Sequence, residues 1–214
     1  MSQPRQALGV CLFNDKYIFA FGGKNVTGQS PEYSFASQVE VFDIDRSAWK
    51  VINYISDQDK LRLVYPGSFQ VNSKRIIIFG GLRARREIEN KPVVAKDGAQ
   101  EVIISNETLY FDVASGEVTR GPDLQRGSYF FGGCNVFPQG GVVHAFGFST
   151  VKETYPFMSA LAETVPPAIG EINHNQNKKT YHCFKVAEES WHEVSEAVFT
   201  GQRKMSIDTL DETL

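Results

Sequence analysis

The sequence predicts an all-β chain built from units of four short antiparallel strands. Two observations carry that reading. A fixed order of strand and turn signals recurs three times along the 214 residues, and no long helical periodicity lies between the recurrences. The strand segments are rich in β-branched and aromatic residues, and Asn, Asp and Gly separate them.

The first unit starts at Pro4-Arg5, runs through the apolar stretch Leu8 to Phe13, turns at Asn14-Asp15 and enters Tyr17 to Phe21, which ends on Gly22-Gly23. It continues through Val39-Glu40-Val41-Phe42-Asp43 and closes on Ala48-Trp49-Lys50-Val51. The second unit repeats this order: Gly67 to Val71, a turn at Asn72-Ser73, Arg75 to Phe79 with Gly80-Gly81, Thr108 to Asp112, and Gly116 to Thr119. The third opens at Pro122 to Arg126, passes Phe130 to Val136, turns near Gln139-Gly140 and reaches Gly141 to Phe148. Its closing pair is Thr180 to Phe184 and Ser190 to Val194.

Four antiparallel strands per unit is the content of one β-propeller blade. The landmarks resemble those of the kelch repeat, which carries a double glycine after its second strand, an aromatic in its third and a Trp in its fourth. Here Gly22, Gly23, Gly80, Gly81 and Gly147 stand at the glycine positions, and Trp49 and Trp191 at the Trp position. The resemblance implies blades over about 4–53, 62–121 and 122–195 within a kelch region 1–199, followed by a polar tail 200–214. It also implies a non-enzymatic protein-interaction scaffold in a cytoplasmic or cytoskeletal assembly. Physically, glycine permits positive φ and close backbone approach, and a Trp offers a large surface for packing one blade on the next.

The chain departs from the pattern in places. Gly147 is followed by Phe148 rather than a second glycine, and the second unit has Val118 or Thr119 near the Trp position. The gaps from about Leu82 to Ile104 and from about Ser149 to Lys179 exceed the ~2–5 residues of a hairpin loop. Propellers have ~4–8 blades, so three leave two open apolar faces. Completion by further sequence, by a second copy in a six-bladed ring, or by another subunit stays open. An architectural subunit of a large complex, such as a ciliary one, is the alternative function, and a propeller enzyme comes behind it.

Charge is nearly balanced, with 22 basic and 25 acidic residues, so no overall field favours nucleic acid or anionic lipid. Cys11, Cys134 and Cys183 are too scattered for a disulfide framework and read as small buried residues in a reducing compartment. No apolar run reaches the roughly 18 residues of a membrane span. The sequons at Asn25 and Asn106 read as chance matches.

Candidate contact residues lie in the long loops. Arg83, Arg85 and Arg86 follow the second double glycine and could clamp a carboxylate or phosphate, although Glu87, Glu89 and Lys91 make an ordinary solvated loop the rival reading. Tyr155 and Phe157, with Met158 and Pro166-Pro167, could anchor a protein partner or fold back onto the propeller. His144, His174, His182 and His192 fit no ligand spacing, so no metal or cofactor is expected, although His182 and His192 stand in successive strands. No catalytic motif is present, and Ser206 sits in a basophilic-kinase-like context. Because Trp49 is expected between blades, Trp49→Ala should cost about 3–5 kcal/mol in a melting experiment, and Arg85→Ala close to nothing.

Overall fold

Short β-branched and aromatic strands joined by tight turns have one way to satisfy their backbone, which is to pair with each other. In the computed structural model they do so in several antiparallel sheets. The structure describes residues 1–2, 4–25, 35–54, 58–84, 102–130, 141–150, 154–155 and 177–194, and among these there is no α-helix.

The first sheet consists of β2 (Gly9–Phe13), β3 (Tyr17–Phe21), β5 (Val39–Asp43) and β6 (Ala48–Ile52), paired in that order. The second consists of β7 (Gly67–Gln70), β8 (Arg75–Phe79), β11 (Thr108–Asp112) and β12 (Val118–Arg120), again in sequence order. The third has β13 (Val142–Thr150), β15 (Asn177–Lys185) and β16 (Ser190–Glu193). Two small sheets flank these: β1 (Arg5–Gln6) with β4 (Lys24–Asn25), and β9 (Leu82–Ala84) with β10 (Val102–Ile104) and β14 (Thr154–Tyr155). A 3-10 turn at Gln58–Leu61 leads from the first sheet toward the second.

Turn chemistry sets the registers. Asn14 and Asp15 take φ of 50° and 53° at the centre of a turn closed by the Lys16 N–H on the Phe13 carbonyl at 3.2 Å, and Phe13 pairs with Tyr17 across it. The aspartates that end the third strands hold the next turn: Asp112 Oδ1 accepts from the N–H groups of Ala114 (3.0 Å) and Ser115 (2.8 Å), and Asp43 Oδ1 accepts from that of Arg46 (3.1 Å).

The second sheet is covered on both faces. Alternate residues point to opposite sides of a strand, so Ile76, Ile78, Leu109, Phe111 and Val118 join Cys11, Phe13, Phe19, Phe21 and Val41 in one core. On the other side, Phe69, Ile77, Phe79 and Tyr110 join Val143, Ala145, Phe184 and Trp191. This two-sided burial explains why β8 reads Ile-Ile-Ile-Phe without alternation.

Both double glycines end their strands in left-handed conformation, with φ of 59° and 91° at Gly22 and Gly23 and of 62° and 86° at Gly80 and Gly81. A Cβ on Gly22 would lie 2.2 Å from the Leu63 carbonyl oxygen, and one on Gly80 would lie 2.3 Å from that of Ser128. Each pair therefore seats the end of one sheet on the backbone that leads into the next. Gly147 lies inside β13, which runs nine residues where β3 and β8 run five.

The registers align one cross-strand row in all three sheets: Ile18–Phe42–Trp49, Ile76–Phe111–Val118 and Val143–Phe184–Trp191. In the second and third sheets this row lies against the preceding sheet and is buried. Trp191 is 5 % exposed, stacks among Phe69, Phe79 and Phe184, and donates its indole N–H to Thr108 Oγ1 at 3.0 Å. Trp49, expected in the same role, is 38 % exposed because no described sheet precedes the first one. Its described ring partner is Phe42, with centroids 5.3 Å apart.

The large cost expected at Trp49 therefore falls on Trp191. Trp191→Ala should lower the unfolding free energy in urea by about 3–5 kcal/mol, the cost of an aromatic core truncation. Trp49→Ala should lower it by about 1 kcal/mol, the worth of one aromatic pair at the surface. Equal losses would refute this assignment.

Candidate functional site

The outer face of the first sheet is apolar along two rows. One runs Leu12–Ile18–Phe42–Trp49 and the other Val10–Ala20–Glu40–Val51. Val10 is 54 % exposed and Leu12 50 %, with Trp49 and Val51 close to 40 %. Burying a side chain of this size is worth ~1.5–3 kcal/mol, so a face carrying four of them has a strong drive to be covered.

Part of that face is already closed by the N-terminal arm. Arg5, in β1, pairs with Glu40, and both side chains are almost fully buried. The Arg5 guanidinium also donates to the carbonyls of Gly22 (3.0 Å) and Gln38 (2.8 Å), while the Ser2 N–H donates to Glu40 Oε1 at 2.6 Å. Burial alone would raise the Glu40 carboxyl, but the Ser2 and Arg5 bonds outweigh it and hold the group below its ordinary value. Lys24, buried in the adjoining β4, is pushed down to about 8 by desolvation.

The third sheet also has an outer face. Its rows are His144–Cys183–His192 and Phe146–Tyr181. Phe146 and Tyr181 stack almost parallel, with centroids 4.6 Å apart, and Phe146 is 38 % exposed. His144 Nδ1 pairs with the Tyr181 hydroxyl and lies 3.4 Å from Cys183 Sγ. The same register places His182 opposite Glu193 rather than beside His192, so the two histidines suggested as neighbours point to opposite faces. Among the described residues no His, Cys, Asp and Glu grouping could hold a metal ion.

The long-gap residues meet unexpectedly. Arg83 stands opposite Ile103 in the β9–β10 pair, and Ile103 stands opposite Thr154 in the β10–β14 pair, with Val102 opposite Tyr155. The two loops singled out in the sequence are thus joined in one small sheet. The Arg83 guanidinium bridges Glu107 at 2.6 Å and donates to the Lys60 carbonyl at 3.3 Å, which makes it a tie between segments. Arg85, Arg86, Phe157 and Ser206 lie outside the described residues, as do His174 and Cys134.

A polar cluster that sequence spacing did not reveal sits inside the interface of the second and third sheets. Ser128 Oγ lies 2.8 Å from His182 Nε2 and 2.9 Å from Thr180 Oγ1. A serine beside a histidine is the arrangement that activates a nucleophile, but Ser128 and His182 are both 0 % exposed and His182 Nδ1 has no hydrogen-bond partner to orient it. The cluster is a packed polar island. Burial first, and the charge of Arg126 second, push the His182 imidazole down to about 4.

No protein-family model and no curated protein matches the chain. Among solved structures it is similar to that of YjhT, with a TM-score of 0.55 and 11 % identity over 90 % of this chain and 52 % of that one. At this identity the likeness is one of fold, and the chain spans about half the length of that structure.

The polar island generates a pH dependence. With a folded value of about 4 against an ordinary 6.5, neutral His182 contributes stability that is fully present above pH 6.5 and is lost as pH falls toward 4. The loss approaches about 3 kcal/mol at full protonation. Leu109 occupies the matching position in the second sheet, opposite Ile78 as His182 is opposite Ala145. His182→Leu should therefore flatten the stability profile between pH 6.5 and 4 in urea titrations, and an unchanged profile would rule the assignment out.

Proposed function

We propose that this chain is a non-enzymatic protein-interaction scaffold of kelch-type propeller blades, acting in a cytoplasmic or cytoskeletal assembly, with a contact surface on the outer face of its first sheet. The observation that carries this reading is the exposure of Val10, Leu12, Trp49 and Val51 together on one sheet face. The same cross-strand row is covered wherever a preceding sheet exists, so this surface has the composition of an interior and the position of an exterior.

Further support comes from the stacking of three sheets through alternating faces and from the left-handed double glycines at matching strand ends. The closed Ser128–His182 island supports packing rather than reaction chemistry. No helix among the described residues is long and apolar enough to cross a membrane.

A second reading is favoured by the place of this face, on the first of the described sheets and away from the joint with the second. In that reading the chain is an architectural subunit whose sheet stack is extended by its neighbours.

The test is retention of protein from a cell extract on immobilised wild-type chain and on a Leu12→Lys variant, with both shown to be folded by circular dichroism. The expected result is stoichiometric retention by the wild type, weakened at least about 30-fold by a charge in the centre of the face. Retention that ignores the substitution, or no retention by the wild type, would overturn the reading.

A further inference from the structure

The two joints between the described sheets share a construction, and one pair of matching positions differs in chemistry. Each joint closes at a double glycine whose second N–H donates to a carbonyl on the segment that enters the next sheet, Gly23 to Leu63 and Gly81 to Ser128. Each also buries an inward residue two places before the central Phe of the later sheet, Leu109 before Phe111 and His182 before Phe184. In the first joint these two positions are therefore Leu63 and Leu109, which belong to one apolar core. In the second they are Ser128 and His182, which are bonded to each other.

The polar pair is incompletely satisfied. His182 Nε2 has Ser128 Oγ at 2.8 Å, and Thr180 Oγ1 meets the same hydroxyl at 2.9 Å, but His182 Nδ1 has no hydrogen-bond partner among the described residues. A neutral ring leaves one nitrogen idle. A second ring proton makes a buried cation whose Nδ1–H finds no acceptor, which is far more costly. The neighbouring groups do not offset that cost. Arg126, on the segment entering the third sheet, repels the imidazolium. Glu193, opposite His182 across the β15–β16 pair, is engaged by Arg126 at 3.5 Å. Ala145 stands opposite on the other side, and the Trp191 ring lies edge-on at 6.3 Å. Trp191 in turn meets the second sheet through Phe79 and Thr108, and Glu107 beside Thr108 is engaged by Arg83 at 2.6 Å. His144 and His192 lie on the outer face of the third sheet.

We infer that the joint between the second and third sheets is an acid-released hinge: a proton taken up by His182 separates the third sheet from the second, while the joint between the first and second stays closed. Ser128 couples the proton to the backbone, because its hydroxyl holds His182 and Thr180 while its carbonyl receives Gly81. Phe130, two residues on, stacks against Phe79 at 4.7 Å and leaves with the same segment. Release uncovers Phe69, Ile77, Phe79 and Tyr110 on the second sheet, and Phe184 and Trp191 on the third. The core of the first joint has no such trigger among the described residues. Its one thiol, Cys11, is pushed up to about 12 by burial and stays neutral, and Glu40 lies on the opposite face of the first sheet. The Arg75–Glu189 bridge at the far edge of the second joint joins partly exposed side chains and adds little at any pH. The hinge does not depend on the outer face of the first sheet being a contact surface.

Hydrogen exchange followed by NMR on the full chain reads the two joints separately, as protection factors relative to the free-chain rate at each pH. The Gly81 N–H and the Trp191 indole N–H, which donates to Thr108 Oγ1, cross the second joint, and the Gly23 N–H crosses the first. Between pH 7 and pH 4, protection at Gly81 and Trp191 should fall roughly 100-fold, since an opened joint binds the proton with the ordinary affinity of an imidazole and the closed joint does not. Protection at Gly23 should stay within about threefold. In His182→Leu, which copies Leu109, the fall at Gly81 should shrink to the level of Gly23. His182→Gln keeps a donor for Ser128 without a titrating ring and takes its place if circular dichroism shows the Leu variant to be unfolded.

Equal falls at Gly23 and Gly81 would mean that the whole chain unfolds together and would overturn the hinge. Constant protection at Gly81 down to pH 4 overturns it as well, and so does a fall that the His182 variants leave unchanged.

Discussion

Two glycines in left-handed conformation set the distance between successive sheets, and the rest of the stack depends on that distance. The Gly23 N–H donates to the Leu63 carbonyl at 2.7 Å, and the Gly81 N–H donates to that of Ser128 at 2.8 Å. A side chain at Gly22 or Gly80 would push this backbone away by more than an ångström, given contacts of 2.2 and 2.3 Å. With the backbones held this close, the Phe19, Phe21 and Phe111 rings meet at 5.5 to 6.1 Å in one joint, and Phe79 and Trp191 meet at 4.6 Å in the next. The aromatic cores therefore follow from a backbone contact at one end of the sheets.

The joints are tied on more than one side. Arg75 bridges Glu189 at 2.8 Å and lies over the Tyr110 ring, whose hydroxyl reaches the same carboxylate at 3.3 Å. Asn14 and Gln70 exchange a side-chain bond of 2.7 Å between the first hairpins of neighbouring sheets. These exposed contacts are each worth little beside the cores, and their effect is to fix the angle at which the sheets meet.

Much of the local structure was legible because it is written in adjacent residues. The hairpin at Asn14-Asp15, the strand ends at Gly22-Gly23 and Gly80-Gly81, and the aspartates closing the third strands are all short-range signals. What stayed hidden depends on neighbours distant in sequence. Trp49 and Trp191 occupy the same place in their units and differ in burial because, among the described residues, only Trp191 has a sheet in front of it. Ser128 and His182 are 54 residues apart, and Arg5 and Glu40 are 35 apart, so neither pairing has a spacing signature. One clue was available for the outer face: Gly-Val-Cys-Leu-Phe has no polar residue on either side, as expected of a strand meant to be covered twice.

Each main sheet is assembled from a continuous stretch of chain and packs on the sheet that follows it in sequence. The order of synthesis is then also an order in which structure forms. The first hairpin needs only residues up to Phe21, and all four strands of the first sheet lie before Gly67, where the second begins. Units that touch only their neighbours can add one at a time. The slow step in closing a circular stack is normally the return of the last unit to the first, which must overcome the loop entropy of the whole chain. Between the three described sheets no such step arises, because each joint forms between stretches adjacent in sequence.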